Sequence, residues 1–409
     1  MEDRKLLPHL FRTEYRKIIA VLCKHFGIEY LEVAEDMVSE TFLQAAETWG
    51  LKGLPANPTA WLYTVSKNKA LDFVKRNSLF HSKIVPGLQA ADEVLPPTEI
   101  DLSGKNINDS QLQMMFAICH PAISTEAQIG LSLNILCGFG AEEIADAFLT
   151  QRDVIYKRLA RAKEKLKAEK IKIELPASAE IDRRLETVLT TLYLLFSEGY
   201  YSSSQNTILR KDLCLEAMRL NLMLLDNEQT NTPPANALLA LMCFHASRFE
   251  ARTHPNGEII LYEDQDQSLW NEELIQKGEA YLNKASTGNK LTKYHLEAAI
   301  AYWHTQKNDT TEKWENILQL YNRLLQLEYS PIAALNRTYA LSKANGKNIA
   351  IREAEKLNLS GNHLYHSLLA SLYEGIDNQK ALQHLEAALS LAKTTADKTL
   401  IAKKINAIK

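Results

Sequence analysis

Basic side chains are concentrated in one short stretch near the middle of the chain. Between Thr150 and Lys172 there are nine lysines and arginines but three acidic residues, a local balance of +6 in a chain whose formal net charge is −3. Cationic side chains on one helix neutralise phosphates, and arginines near the start of such a helix hydrogen-bond to base edges. The residue types therefore indicate nucleic-acid binding.

Two short helices must position these cations. Ile144, Ala145 and Phe148 share one face of a first helix that starts near Ala141. After an interruption at residues 149–151, a second helix turns an apolar stripe inward and its basic residues outward. The stripe consists of Val154, Ile155, Leu159, Ala162 and Leu166. The pattern is a helix-turn-helix, whose second helix enters the major groove. A solvated helical hairpin is the alternative from this stretch alone.

A second nucleic-acid pattern lies in the helix that follows a loop rich in glycine and proline, residues 50–58. Asn57 is a suitable N-cap and Pro58 a suitable first helical residue. The helix interleaves Trp61 and Phe73 with lysines and an arginine, a combination that stacks on unpaired bases and neutralises phosphates. The alternative for both rings is a place in the hydrophobic core.

An acidic helix precedes this loop and starts near Leu31. The N-terminal half carries Glu32, Glu35, Asp36 and Glu40, where the helix dipole favours negative charge and a partner can reach them. The residues expected to face inward are Val33, Met37, Val38, Phe42, Leu43 and Ala46. This helix is therefore predicted to pack on one side and to offer an acidic surface on the other.

Composition excludes several classes of protein. A hydrophobic content of 46% and a charged content of 24% are ordinary for a soluble globular protein. No apolar run approaches the roughly 18 residues of a membrane span, and the start lacks the apolar core of a signal peptide, so a cytoplasmic protein is predicted.

Five cysteines occur without a CxxC pair, and no metal or cofactor is predicted. Cys119-His120 is better explained as a buried thiol beside a loop histidine. No catalytic motif is present, and no enzymatic activity is predicted.

The chain is predicted to be all-α, with two small helical domains and a long helical extension. The predicted boundaries are 1–77 for the first domain, 78–107 for a linker, 108–172 for the second domain and 178–409 for the extension. The extension consists of eleven predicted amphipathic helices with short polar joints, which is typical of an α-solenoid. The last helix pair, with Ala370, Tyr373, Ala381 and Leu385, has tetratricopeptide-type spacing.

One segment of the extension, residues 254–270, interrupts the helices. Asn256-Gly257 predicts a turn, residues 258–262 a short extended ribbon, and Glu263, Asp264 and Asp266 an acidic loop. A binding edge and a cap of the solenoid are both consistent with this segment.

Three motifs together resemble a bacterial sigma factor of the extracytoplasmic-function group, an initiation subunit of RNA polymerase. They are AEDMVSETFLQA (34–45), NPTAWLYTVSKNKALDFVKR (57–76) and EEIADAFLTQRDVIYKRLARAKEKL (142–166). The first is similar to the region 2 segment that docks on the polymerase clamp, and the second to the segment that reads and melts the −10 element. The third is similar to the region 4 helix-turn-helix that reads the −35 element. Phrases such as CHPAISTEAQIGLSL (119–133) and LYEDQDQSLW (261–270) resemble the subgroup with a tetratricopeptide-like extension.

The resemblance implies three sets of site residues. The polymerase-docking residues are Glu35, Asp36, Ser39 and Glu40. The −10 DNA-binding residues are Asn57, Trp61, Asn68, Lys69, Lys75 and Arg76. The −35 DNA-binding residues are Arg152, Tyr156, Lys157, Arg158 and Arg161. The implied partners are core RNA polymerase and promoter DNA, with a regulatory protein or ligand at the extension.

Two features depart from the family pattern. Glu258 stands where relatives usually have an arginine, which puts a ligand role of its loop in doubt, and Gln151 and Arg152 replace a common Pro-Glu start of the recognition helix. Promoter preference therefore does not carry over from the family.

Three functions are consistent with the sequence. The first is a sigma factor that directs promoter-specific initiation and carries a regulatory helical extension. The second is a stand-alone helix-turn-helix regulator with a sensing domain, and the third is a helical scaffold. The acidic helix 34–45 and a separate −10-type helix favour the first, because a simple repressor needs neither.

Overall fold

The computed structural model describes residues 3–83, 100–148, 150–201, 210–252, 260, 262–392 and 394–408. The described residues form helices joined by turns and loops, with no β-strand among them, so the all-α prediction is confirmed. The chain divides into two compact units, 1–191 and 192–409.

The first unit begins with three helices, α1 (Asp3–Phe26), α2 (Leu31–Lys52) and α3 (Pro58–Lys83). The Asn57 side chain accepts a hydrogen bond from the Ala60 amide at 3.0 Å, which confirms the predicted N-cap. The buried stripe of α2 follows a spacing of three and four residues, and α2 packs against both α1 and α3. Leu31, Ala34, Val38, Phe42, Ala45 and Trp49 lie in that stripe.

Two inward predictions for α2 were wrong. Leu43 is 61% exposed and Ala46 is also exposed. Leu43 follows Asp36 by seven residues and Glu40 by three, and this spacing places it on the polar face of the helix. The apolar side chain of Leu43 therefore lies within the acidic surface.

Four helices follow in the first unit. They are α4 (Gly104–Ile118), α5 (Thr125–Leu131), α6 (Ala141–Ala147) and α7 (Arg152–Ala168), with a π-helical turn at Ser132–Cys137 directly after α5. Helix α6 packs against α7 as a helix-turn-helix requires. Val154 is 42% exposed, so its predicted inward position was wrong. It lies four residues before Arg158 and seven before Arg161, on the cationic face.

A single core joins these two sets of helices. Helix α1 packs against α4, and Ile18 and Leu22 of α1 and Met115 and Ile118 of α4 are completely buried. Helix α3 extends to Lys83 and α4 begins at Gly104, while residues 84–99 of the predicted linker lie outside the described residues.

The second unit is a succession of helices, which begins within α8 (Ile181–Tyr201). The others are α9 (Lys211–Leu225), α10 (Pro233–Ala246), α11 (Phe249–Arg252), α12 (Glu272–Ala285), α13 (Lys293–Thr305), α14 (Thr311–Leu327), α15 (Pro331–Asn345), α16 (Lys347–Lys356), α17 (His363–Tyr373), α18 (Asn378–Leu391) and α19 (Thr395–Ile408). Helix α10 is buried along most of its length and packs against α9, α12 and α13. From α13 onward each helix packs on the next, which is the arrangement of stacked repeat helices.

The segment that interrupts the helices is described in part. Residues 254–259 and 261, which include most of the predicted ribbon and its turn, lie outside the described residues. Tyr262–Asp264 and Gln267–Leu269 are short 3-10 helices, so the extended conformation predicted for Tyr262 was wrong. Its hydroxyl donates to the His304 carbonyl at 3.0 Å and accepts from Lys313 Nζ at 3.0 Å, and these bonds fix the segment against α13 and α14.

Candidate nucleic-acid interface

The cationic face of α7 carries all five residues assigned to the −35 element. Arg152, Lys157 and Arg161 are exposed, Tyr156 is 66% exposed and Arg158 is half-buried. Within the described part of the chain, none of these residues forms an ion pair. A cationic helix face of this kind is available to an anionic partner.

A groove of about 520 Å³ runs between the start of α5 and this face. Its rim carries Lys157, Arg158, Arg161 and Lys165, and its apolar lining includes Ile123. Four cations along one groove match a phosphate backbone. The sequence places Lys165 on the outward basic face of this helix but outside the −35 set, although its position four residues after Arg161 puts it beside that residue.

One carboxylate lies close to this groove. Glu126 is exposed on α5, and hydrogen bonds from its own backbone and from Ser124 lower the pKa of its carboxyl, with a smaller contribution from Arg158. Glu126 is therefore ionised at neutral pH, and it offers Arg158 a competing anion when no nucleic acid is bound.

The face of α3 carries the residues assigned to the −10 element. Asn68, Lys75 and Arg76 are exposed. Lys69 is partly buried, and its Nζ lies 3.0 Å from Oε2 of Glu40 on α2. One residue assigned to DNA is thus joined to one residue assigned to polymerase docking.

Two aromatic rings of α3 lie partly in the core. Trp61 packs edge-to-face against Trp49, with centroids 5.4 Å apart. Phe73 lies 5.9 Å from Phe26 and 6.0 Å from Tyr30. The core alternative therefore accounts for the contacts of both rings, while each ring remains only half-buried.

A buried carboxylate fixes α3 relative to α1. Glu14 is 7% exposed, accepts a hydrogen bond from the Tyr63 hydroxyl and lies 3.0 Å from Lys17 Nζ. Burial and the Glu14 carboxylate raise the pKa of Tyr63, so the phenol remains a donor at neutral pH. This contact holds the orientation of the −10 helix.

The acidic face of α2 is mostly open. Asp36, Ser39 and Glu40 are exposed, whereas the Glu35 side chain is 27% exposed. The Tyr15 hydroxyl lies 2.9 Å from Ser39 Oγ, and burial is the main cause of its raised pKa. Asp36 thus presents its carboxylate near a fixed hydroxyl, whereas the Glu40 carboxylate is paired with Lys69.

Glu35 has a partner that sequence reasoning did not assign. Lys163 Nζ, on α7, lies 3.0 Å and 2.9 Å from the two carboxylate oxygens of Glu35. The Lys163 side chain is 19% exposed. Its place among the outward basic residues of α7 was visible in the sequence, but its contact with α2 depends on the packing of the first unit.

The described residues hold no grouping of three or more potential metal ligands. Cys119 is buried with its thiol pKa raised to about 11, and His120 Nδ1 accepts the Ala122 amide at 3.1 Å. The interpretation of this pair as a buried thiol beside a loop histidine is therefore confirmed. Among the described helices, none is long and apolar enough to cross a membrane.

Comparison with known proteins agrees with this geometry. Residues 10–80 match the sigma-70 region 2 family, and residues 184–286 match a family of unknown function, DUF6596. The chain is 32% identical over 389 residues to the uncharacterized protein R00370 of Rhizobium meliloti (strain 1021), which covers 91% of this chain and 89% of the relative. No solved structure matches the chain.

The region 2 match covers α1 to α3, which carry the acidic face and the −10-type helix. The fold and this match define a transcription initiation factor that binds core RNA polymerase. Residues 10–80 belong to the sigma-70 region 2 family of sigma factors, and along most of its length the chain belongs to one family with the Rhizobium meliloti protein.

Proposed function

We propose that this sigma factor belongs to the extracytoplasmic-function group and directs promoter-specific initiation, with α2 docking on polymerase, α3 opening the −10 element and α7 reading the −35 element. The observation that supports this division is that one unit presents three separate polar surfaces: an acidic one on α2, a basic one on α3 and a basic one on α7. A stand-alone regulator needs only the third.

The acidic face of α2 suits a basic surface of the polymerase. Charge complementarity of this kind speeds encounter and fixes register more than it adds affinity. Leu43, 61% exposed between Asp36 and Glu47, offers the apolar contact that such interfaces place near their centre. Docking is therefore assigned to Asp36, Ser39 and Glu40 around Leu43, with Glu35 at the edge.

The −10 element is assigned to the loop before α3 and to α3 itself. Opening a base step costs a few kcal/mol, which stacking and phosphate contacts offset. Lys75 and Arg76 are exposed for phosphates, Asn68 for a base edge, and the exposed part of Trp61 for stacking. Asn57 holds the start of the helix in place through its cap.

The −35 element is assigned to α7. Arg152 and Tyr156 lie in the first turns, where recognition helices contact bases, and Arg161 and Lys165 lie further along, where phosphates pass. With a net charge of −3 for the whole chain, non-specific attraction to DNA is small, and we expect weak binding to duplex promoter DNA without polymerase.

The extension is assigned a regulatory role. The stack from α13 to α19 offers a long continuous surface, which is how repeat proteins bind partners. A regulatory protein or a ligand on this surface fits the tetratricopeptide-like class that the sequence predicts.

Run-off transcription with bacterial core RNA polymerase on a promoter library tests this proposal. We expect transcripts that depend on the full chain and are absent with core polymerase alone. A chain that binds duplex DNA tightly by itself and directs no initiation would instead be a stand-alone regulator.

A shorter form in the same assay reports whether the extension activates or inhibits. It should end after Tyr201, because α8 contributes contacts to the first unit. Arg184 Nη2 donates to the Phe116 carbonyl at 2.6 Å, and Thr191 Oγ1 donates to Gln128 Oε1 at 3.1 Å. A cut after residue 175 would remove both contacts.

A further inference from the structure

Four polar side chains of the second unit surround the ring of Tyr262. Arg248 Cζ lies 5.5 Å and Lys313 Nζ 5.4 Å from the centroid of this ring. The imidazole of His304 and the indole of Trp270 have centroids 4.9 Å and 6.2 Å from the same point. Two cations and two nitrogen-bearing rings, from separate helices and turns, thus form one group, here called the Tyr262 cluster.

The first cation of the cluster is buried with weak polar contacts. Arg248 lies in the turn between α10 and α11 and is 6% exposed. Its Nη2 lies 3.5 Å from the Tyr200 hydroxyl and 3.4 Å from His245 Nδ1, and no acidic side chain in the described part of the chain forms an ion pair with it. An uncompensated buried charge is strongly unfavourable. Arg248 is therefore a cation that lacks a counter-ion.

The second cation is buried still more deeply. Lys313, on α14, is 2% exposed, and its Nζ donates to the Tyr262 hydroxyl at 3.0 Å and to the Gln306 carbonyl at 2.8 Å. Burial lowers the pKa of Lys313, Asp309 partly offsets this change, and the positive charge of Arg248 adds to it. The two cations thus act on each other across the cluster.

The carboxylates of this region already have partners. Asp309 accepts a hydrogen bond from the Trp314 indole nitrogen. Glu263 accepts one from the Tyr339 hydroxyl and lies 2.9 Å from Lys343 Nζ. These carboxylates balance only part of the positive charge around Tyr262.

Three nitrogen atoms of the cluster are buried without a hydrogen-bond partner among the described residues. They are Arg248 Nε, Trp270 Nε1 and His304 Nδ1. The first two can only donate. Burial, with smaller contributions from the two cations, lowers the pKa of His304 to about 3, so its ring is neutral at pH 7 and Nδ1 donates in one of its two tautomers. Buried donors beside two cations call for the oxygen atoms of an anion.

We propose that the Tyr262 cluster binds the phosphate group of a small molecule, with Arg248 and Lys313 as its cations and the nitrogens of Trp270 and His304 as further donors. A phosphate monoester carries a charge of about −1.5 to −2 at neutral pH, which matches two cations better than a single carboxylate does. The burial of both cations favours a small ligand over a nucleic-acid backbone. The cluster belongs to the second unit, so its failure to bind would leave the proposed sigma-factor function intact.

Calorimetric titration of the full chain with inorganic phosphate measures the affinity, and hydrogen exchange locates the binding. A ligand that binds only the folded state slows exchange that requires unfolding by a factor of 1 + [L]/Kd, about tenfold at ten times Kd. We expect this slowing in α13 and α14 with phosphate and not with chloride at equal ionic strength. Absence of binding, or protection confined to the cationic helix α7, would overturn the site.

Arg248→Met tests the first cation, because methionine keeps much of the apolar length of the side chain without its charge. We expect the variant to lose the phosphate-dependent slowing of exchange in α13 and α14. Arg323→Met, at an exposed position on α14, removes the same charge and should retain it. An Arg248→Met variant that keeps the wild-type slowing contradicts the proposal.

Arg248→Lys provides a second test that does not depend on the folding of the methionine variant. Lysine keeps the charge but lacks the Nε donor. The loss of one hydrogen bond should weaken phosphate binding about fivefold. Unchanged affinity would exclude Arg248 from the site.

Two further titrations identify the ligand class and its source. Acetate carries one charge and should bind more weakly than phosphate, and acetate binding as tight as that of phosphate would overturn the phosphate assignment. Glycerol 3-phosphate that binds more tightly than inorganic phosphate assigns the site to an organic phosphate, and the reverse order assigns it to the free ion.

Discussion

Trp61 packs edge-to-face against Trp49, with ring centroids 5.4 Å apart and an interplanar angle of 67°. Trp49 belongs to the buried stripe of α2 and Trp61 to the first turn of α3. The pair therefore joins the helix assigned to polymerase docking to the helix assigned to the −10 element. An edge-to-face aromatic pair contributes about 0.5–1.5 kcal/mol beyond the area that it buries.

Trp61→Ala is expected to destabilise the first unit and not merely to weaken base stacking. Truncation of a fully buried Trp costs roughly 3–5 kcal/mol, and the half-buried Trp61 should cost about 2–3 kcal/mol. Hydrogen exchange of α2 and α3 in the full chain measures this loss, and Trp61→Phe should retain most of the stability. Unchanged exchange with lost initiation would show that the ring acts on DNA alone.

Local patterns predicted the helices of this protein well. The N-cap at Asn57 and the helix-turn-helix depend on residues close in sequence, and both follow from capping preference and apolar spacing. Leu43 and Val154 were misplaced because each adjoins a buried stripe in sequence but lies about 100° round the helix from the buried residue beside it. The apolar character of a residue beside such a stripe does not show whether its side chain faces the core or the solvent.

The contact between Glu35 and Lys163 was beyond sequence reasoning for a different reason. The two residues are 128 positions apart, and each was already explained as part of an exposed charged face. Glu35 lies on α2 and Lys163 on α7, and nothing in the local pattern of either helix specifies that the two meet. Long-range pairing of two charged surfaces needs the tertiary structure.

Arg158→Ala is expected to reduce −35-dependent transcription about tenfold, since a specific arginine contact discriminates by about 1–3 kcal/mol. Binding of core polymerase should stay unchanged, because Arg158 lies on the groove face of α7 and not on α2. Run-off transcription measures the expected loss, and the affinity for core polymerase, measured on the same preparation, tests whether binding is unchanged.

The control for that prediction is Arg183→Ala, whose side chain is 75% exposed on α8 and pairs with Glu180. It removes the same charge from the same unit outside the groove and should leave transcription unchanged. Loss of polymerase binding in the Arg158→Ala variant would contradict the assignment of roles.

Asp36→Asn is expected to weaken polymerase binding by about three- to tenfold at low salt, and the difference should shrink as salt rises. Asp36 is exposed on α2, and an exposed interfacial charge acts mainly on the association rate. Stopped-flow association with core polymerase at two ionic strengths measures the effect. Glu142→Gln, which removes an exposed charge from α6, is the control. Weaker binding that comes from faster dissociation, with an unchanged association rate, would argue against electrostatic docking at this face.

The second unit contains a carboxyl group whose ionisation depends on folding. Burial raises the pKa of Glu297 from 4.5 to about 7, although the Tyr193 hydroxyl, which donates to it at 3.3 Å, and Lys293 act in the opposite direction. The folded state therefore holds this proton more tightly than the unfolded chain does. The resulting stability is complete below about pH 4.5 and is lost as the pH rises towards 7.

Glu297→Gln is expected to remove this dependence, because an amide keeps the hydrogen-bonding shape of the protonated carboxyl without its ionisation. The stability of the variant relative to wild type should increase by roughly 2 kcal/mol between pH 5 and pH 8. Hydrogen exchange of α13 in the full chain at both values measures the difference. Both proteins contain His304, whose pKa is depressed to about 3, mainly by burial, and which titrates in the opposite sense. The difference in stability between the variant and the wild type therefore reports the ionisation of Glu297 and not that of His304. Glu386→Gln, an exposed carboxylate on α18, should show no such trend, and the same trend in both variants would mean that Glu297 is not the group responsible.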